Sequence, residues 1–176
     1  MTQTKKKTNK LATIFIATIL TILILLPAAA MFNTTSAYYL LGWDLVDDGK
    51  HLDWDGGTNY LDDWYDSVQV WEDYKPGVIR KDSIWVIEDV KISDYYEVSN
   101  TMAVTSSAGT IKFNKYHFET MTSGERKKTM IHELGHALGL DHNNGDPSSI
   151  MCQGKRSQTW ISSDDKAGYD AAYAGY

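Results

Sequence analysis

The 176-residue sequence predicts one α+β domain, a sheet of about four to five strands with three helices, behind a leader that is not part of the fold. Two observations predict this class. Between residues 50 and 118, short stretches rich in Val, Ile, Trp and Tyr, or alternating apolar with polar residues, follow the two-residue period of strands. Three further stretches carry helix start signals or a helical period: one beginning near residue 58, one beginning at 122, and one from 161 to about 174. The length suits a single domain.

Residues 1–37 read as a secretory signal peptide. Lys5, Lys6, Lys7 and Lys10 form a basic start, Leu11 to Leu26 is a 16-residue run without a charge, and Ala28-Ala29-Ala30 and Thr35-Ser36-Ala37 each offer small residues for cleavage. The alternative is an uncleaved membrane anchor with the domain outside, since the apolar run extended through Phe32 approaches spanning length. No Cys lies near the end of this segment, which argues against a lipid anchor. Residues 38–176 then form the domain, long enough for one sizeable core. After residue 37, 13 Lys and Arg face 23 Asp and Glu, a net charge of −10. That excludes nucleic acid and anionic membrane surfaces as natural partners and permits a neutral or cationic polypeptide. The single Cys152 excludes an internal disulfide framework and reads as a small packed hydrophobe beside Met151.

Along the domain, Lys50 to Asp55 reads as a short strand ended by Gly56-Gly57. Thr58 or Asn59 then caps a helix whose Leu61, Trp64, Val68 and Trp71 share one apolar face, with Pro76-Gly77 stopping it. Ser83 to Val90, rich in Ile, Val and Trp, reads as a buried strand, and Thr101 to Ser106 and Thr110 to Phe118 as two more around Ser107-Ala108-Gly109. The last alternates apolar and polar residues, as a half-exposed strand does. Thr122-Ser123-Gly124-Glu125 has the form of a capping box and opens the next helix, on which Met130, Ile131, Leu134, Ala137 and Leu138 are apolar. Ser162 or Ser163 caps the final helix, with Asp164 and Asp165 complementing its dipole.

The second helix carries the chemistry, in His132-Glu133-Leu134-Gly135-His136-Ala137-Leu138-Gly139-Leu140-Asp141-His142. Residues i and i+4 share a helix face, so His132 and His136 point the same way and make a rigid bite for a metal. A straight helix cannot return His142 to the same ion, so the chain must turn near Gly139, where glycine tolerates positive φ. Three neutral imidazoles with one open position are the ligand set of a catalytic zinc, whereas structural zincs are closed by four ligands, mostly Cys. Glu133, between the two helical histidines, is placed as the general base. The other reading of these residues is a core helix with buried, hydrogen-bonded histidines.

This stretch resembles the extended zinc motif of the metzincin metalloproteases, H-E-x-x-H-x-x-G-x-x-H followed by a Met-turn. Ser149-Ile150-Met151, whose Met lies nine residues past His142, is similar to that turn. Among metzincins the resemblance is to the matrixins, which include matrix metalloproteinases and smaller bacterial relatives. It implies a metzincin-like zincin catalytic domain with a mixed twisted sheet and zinc in a cleft between upper and lower parts. It implies a secreted, monomeric zinc endopeptidase that hydrolyses extracellular polypeptides, with one catalytic Zn2+ on His132, His136 and His142 and Glu133 activating water. It also implies that the strand before the zinc helix, Thr110 to Phe118, is an edge strand that adds extended substrate to the sheet; an ordinary edge covered by a loop is the alternative. In matrixins, acidic residues at the start of the last helix hydrogen-bond the Met-turn and the N-terminal segment, a role compatible with capping.

Met151 is expected to underlie the site without ligating. Gln153 stands where serralysins and astacins carry a ligating Tyr, and the Pro that matrixins often carry soon after the Met is missing. With His51 and His117 the only other histidines, a second, structural zinc is not expected, and with no Cys between leader and first strand neither is thiol-switch latency. The stretches Asp44 to Asp48 and Asp53 to Gly57 match no dependable calcium loop and read as solvated acidic surface. Two other functions fit the metal site: a zinc-bearing module that binds a surface without cleaving it, and a hydrolase of non-peptide amides. Glu133 argues against the first, which needs no general base.

Overall fold

Alternating inward-facing apolar residues assemble one five-stranded sheet. In the computed structural model, which describes residues 37–83 and 87–176, its strands are β1 (Leu52–Gly56), β2 (Ile79–Lys81), β3 (Val90–Tyr95), β4 (Ala103–Ser106) and β5 (Thr110–Asn114). The order is β2-β1-β3-β5-β4, with parallel pairing throughout except for the antiparallel β4–β5 pair, so the sheet is mixed. Among the described residues four helices accompany it: α1 (Leu61–Glu72), α2 (Lys115–Phe118), α3 (Ser123–Ala137) and α4 (Ser163–Gly175). The α+β class and the strand number match the sequence-based expectation, with one short helix more. Almost all of the expected signal peptide lies outside the described residues. Among the described residues no helix is long and apolar enough to cross a membrane.

The core lies between the sheet and helices α1, α3 and α4. Leu52, Val90, Ile92, Ile111 and Phe113 from the strands meet Trp64 and Trp71 of α1, Met130, Ile131 and Leu134 of α3 and Tyr169 of α4, all fully buried. Aromatic rings meet edge-on or tilted, as their quadrupoles favour: Trp54–Trp64 at 5.4 Å, Trp64–Phe113 at 5.8 Å and Trp71–Tyr169 at 5.3 Å between centroids. The Trp stripe of α1 is therefore core. Of its two indole N–H groups, that of Trp71 donates to the Ile131 carbonyl of α3 at 3.0 Å and that of Trp64 is buried without a partner among the described residues.

Several boundaries differ from the sequence reading. Helix α1 begins after Tyr60 without a side-chain cap; Thr58 instead accepts from the Tyr60 N–H and donates to Asp94, tying the loop to β3. The helix ends at Glu72, ahead of Pro76-Gly77, and the Glu72 carboxylate takes the Gly77 and Ile79 N–H groups that lead into β2. Of the strand expected at Ser83 to Val90, residues 84–86 lie outside the described set, Ile87 is 87% exposed, and only Val90 is in a strand. The strand that pairs is β3, whose VKISDY sequence is polar because only Val90 and Ile92 meet the core. The expected strand Thr110 to Phe118 stops at Asn114, whose side chain accepts from the Tyr116 N–H and caps α2. β5 is also not an edge: it lies between β3 and β4, and β4 is the edge strand beside α3.

Candidate active site

Helix α3 is fixed at its start before it presents anything at its end. Thr122 and Glu125 form the expected capping box, satisfying otherwise orphaned N–H groups. Asp63 of α1 accepts from Ser123 and Arg126, pinning the first turn to the neighbouring helix. The helix closes at Leu138, and Gly139 adopts φ 91°, letting the Leu140 N–H return to the Gly135 carbonyl at 2.9 Å. The chain reverses here, as the third histidine requires.

A strap that the sequence reading had not assigned holds the segment after this turn. Residues 37–45 run along it: the Leu45 N–H donates to the Ala137 carbonyl, Leu41 to Gly139, and Asp141 back to Tyr39, each at 2.8 Å. Asn143 Nδ2 donates to the Ala37 carbonyl and the Ala37 N–H to Asp164. Asp164 and Asp165 thus make both contacts that the matrixin resemblance implies.

His132, His136 and His142 converge, with one potential ligand atom from each lying within 4.8 Å of the others. The Nε2 atoms of His136 and His142 face each other at 3.1 Å. His132 Nδ1 lies 2.9 Å from the Ile150 carbonyl and His136 Nδ1 2.8 Å from the Leu140 carbonyl. A carbonyl only accepts, so these Nδ1 atoms carry the protons and each Nε2 keeps its lone pair for a cation. Burial, the largest cause in each case, lowers the pKa of all three imidazoles, that of His132 most, and keeps them neutral and fit to ligate. Three neutral nitrogens, two of them on rings whose tautomers backbone carbonyls fix, suit zinc.

The turn beneath them is built from the far end of the chain. Asp165 of α4, 2% exposed, accepts from the Ser149 hydroxyl, the Ile150 N–H at 2.8 Å and the Ser162 N–H at 2.7 Å. The Ile150 carbonyl in turn holds His132, so the last helix orients a histidine through one residue. Met151, fully buried below α3, explains Gly135: a Cβ there would come within 2.4 Å of the Met151 sulfur. Cys152 is buried, as expected of a packed thiol.

Glu133 is buried, and its carboxylate accepts from the Thr105 hydroxyl of β4 at 2.6 Å. Desolvation pushes its pKa up to about 7, near the operating pH at which a general base works best. A cavity of about 350 Å³ opens here between β4 and α3, lined by Thr101 to Thr105, Lys128, Glu133, the three histidines and Gln153. Asn114, fully buried, shapes its rim by donating to the carbonyls of Glu97 at 2.8 Å and Thr101 at 2.9 Å. Nothing in the sequence marks Thr105, whose role arises from sheet order. Lys128 sits four residues before His132, so the helical period was a signal for it. A second group, Asp47, Asp53 and Asp89, brings carboxylate oxygens within 4.8 Å, but Arg80 already takes both oxygens of Asp53, at 2.8 and 2.7 Å.

The profile of the matrixin family matches residues 68–174, which include the histidine cluster, Glu133, the Met-turn and α4. No curated protein sequence matches the chain. Among solved structures, one described as the GM1 bound form of the ECX AB5 holotoxin is similar over 71% of this chain and 80% of that one, at 18% identity and a TM-score of 0.50. At that identity the likeness concerns the fold alone.

Proposed function

Because the chain belongs to the matrixin family of zinc-dependent metallopeptidases, we propose that it is a zinc endopeptidase that hydrolyses extracellular polypeptides with Glu133 as general base. The observation that carries this reading is the convergence of His132, His136 and His142, with backbone carbonyls holding two Nδ1 atoms, directly beside a buried carboxylate. The three imidazoles would hold the ion, and zinc supplies Lewis acidity that makes water acidic enough to deprotonate near neutral pH.

The chain's own groups do the rest. Glu133, held by Thr105, takes the proton of the attacking water and delivers it to the leaving amide nitrogen. Strand β4 pairs on one side with β5, and its other side borders the cavity. An extended peptide can therefore align along β4 by backbone hydrogen bonding, with side chains reaching the cavity alternately. This strand, and not β5, takes the substrate role expected from the sequence. It also favours a polypeptide over a small amide.

The purified protein should cleave a casein or mixed-peptide substrate, lose activity to a chelator and regain it with added Zn2+. Activity indifferent to chelation, or absent from the zinc-loaded protein, would refute the peptidase reading. Export is part of the same proposal. Residues 1–37 act as the signal, and cleavage after Ala30 would keep the Ala37 hydrogen bonds to Asp164 and Asn143 that cleavage after Ala37 would remove. N-terminal sequencing of protein recovered from culture medium should begin at Met31 or Tyr38; an intact Met1 on membrane-bound protein would establish the anchor instead.

A further inference from the structure

Lys128 is the charged residue of the cavity that the proposed reaction leaves without a task. It lies on α3 one turn before His132, is 2% exposed, and contributes to the cavity wall. Buried lysines are rare unless paired, since removing an ammonium from water is costly. Lys128 has no carboxylate within ion-pair distance among the described residues. Its recorded partner is the Cys152 carbonyl, which accepts from Nζ at 2.6 Å. An ammonium carries three N–H donors, so two remain to be used. Burial pushes its pKa down to about 8, which leaves it mostly charged at neutral pH in surroundings that disfavour an unpaired charge.

The other formal charge on the cavity wall is Glu133, and it is engaged by the Thr105 hydroxyl across the cavity. The wall otherwise consists of neutral side chains: Asn100, threonines, small and apolar residues of β4, Gln153 and the histidines. An acidic side chain entering the cavity therefore meets the Lys128 ammonium, while the wall's own carboxylate, Glu133, is turned to Thr105 of β4. The negative charge of the domain as a whole does not reverse this preference, because exposed charges are screened beyond about 8 Å at physiological salt while a buried pair is screened little.

We propose that Lys128 is the specificity determinant of the cavity and selects substrates with Asp or Glu at the position entering it beside the scissile bond. The proposal rests on the peptidase reading and names the substrate class, acidic segments of polypeptides. Lys128 acts by pairing its free N–H donors with the substrate carboxylate while the Cys152 carbonyl holds the ammonium in place. A merely structural tie between α3 and the Met-turn would leave selectivity unchanged when the residue is altered.

The zinc-loaded full chain, incubated with a degenerate peptide library read by mass spectrometry, should enrich Asp and Glu at one fixed position next to the cut. For matched peptides with Glu or Gln there, kcat/KM should favour Glu by about ten- to a hundredfold, the range for a charge-assisted hydrogen bond made or lost. Lys128→Met should bring that ratio to one or below, and Lys128→Arg should restore a preference for Glu; thermal unfolding of each variant confirms that it is folded. No acidic enrichment, or an unchanged ratio in folded Lys128→Met, overturns the assignment. A readout independent of turnover separates this outcome from failure of the peptidase reading. With Glu133→Gln protein and the same peptides carrying a fluorophore, anisotropy should show tighter binding of the Glu peptide, abolished by adding Lys128→Met. Equal binding of the two peptides overturns the role of Lys128 whether or not any peptide is cleaved.

Discussion

Glu133→Ala should reduce peptide hydrolysis by at least about 10²- to 10⁴-fold, the usual contribution of a positioned general base, while zinc stays bound. The separation follows from the geometry. The nitrogens that would hold the ion come from His132, His136 and His142, and the carbonyls of Ile150 and Leu140 orient the first two. Glu133 takes no part in those bonds; its carboxylate turns to Thr105 on β4. Removing it takes away the proton acceptor and leaves the Thr105 hydroxyl the backbone carbonyl of residue 133, 3.0 Å away, as its acceptor. Metal stoichiometry by elemental analysis should equal that of the wild type, and peptide cleavage read by mass spectrometry should fall to near background. A Glu133→Ala protein that still cleaves, with contaminating proteases excluded, would overturn the mechanism.

The largest effect on stability is expected from Asp165→Ala. One carboxylate, 2% exposed, accepts from the Ser149 hydroxyl and the Ile150 N–H and completes the capping box of α4 with Ser162. Truncation leaves two buried donors unpaired and removes a cap. At about 1–3 kcal/mol for each orphaned donor and about 1 for the cap, the loss should be roughly 3–7 kcal/mol. That is a large share of the 5–15 kcal/mol typical of a folded domain. The freed Ile150 backbone also releases His132, so zinc affinity should fall by about 10- to 100-fold. Denaturant unfolding of the metal-free protein and zinc competition against a chromophoric chelator measure the two effects separately. Asp165→Asn, which keeps an acceptor oxygen, should fall between. If zinc affinity is unchanged in folded Asp165→Ala, the link through Ile150 does not operate.

How much was legible depended on the range of the physics involved. The capping box at Thr122 involves residues three apart and was read correctly, and the last helix's cap, read as Ser162 or Ser163, is Ser162, in a capping box with Asp165 that was not read. The reversal at Gly139 was read correctly, because positive φ is a property of one residue. The Trp face of α1 was read from its period, but its start was not, because Thr58 spends its hydroxyl on Asp94, 36 residues away. Of the expected strand at Ser83 to Val90, the described residues Ser83 and 87–89 are not in a strand, because apolar composition does not set register. Ile87 points to solvent while the more polar β3 takes the central place between β1 and β5.

By itself the sequence determined the residues of the candidate metal site, the candidate base and the family, because two histidines one helical turn apart and a glycine three residues later are constraints of local geometry. Only the tertiary structure decided that β4 and not β5 borders the cavity, that Thr105 holds Glu133, and that Asp165 and residues 37–45 brace the histidines from opposite ends of the domain. The same holds for the Lys128 ammonium, which became a buried cation without a carboxylate only when α3 packed against the Met-turn. Strand order, burial and the pairing of distant charges depend on which surfaces meet, and no periodicity in a single stretch records that.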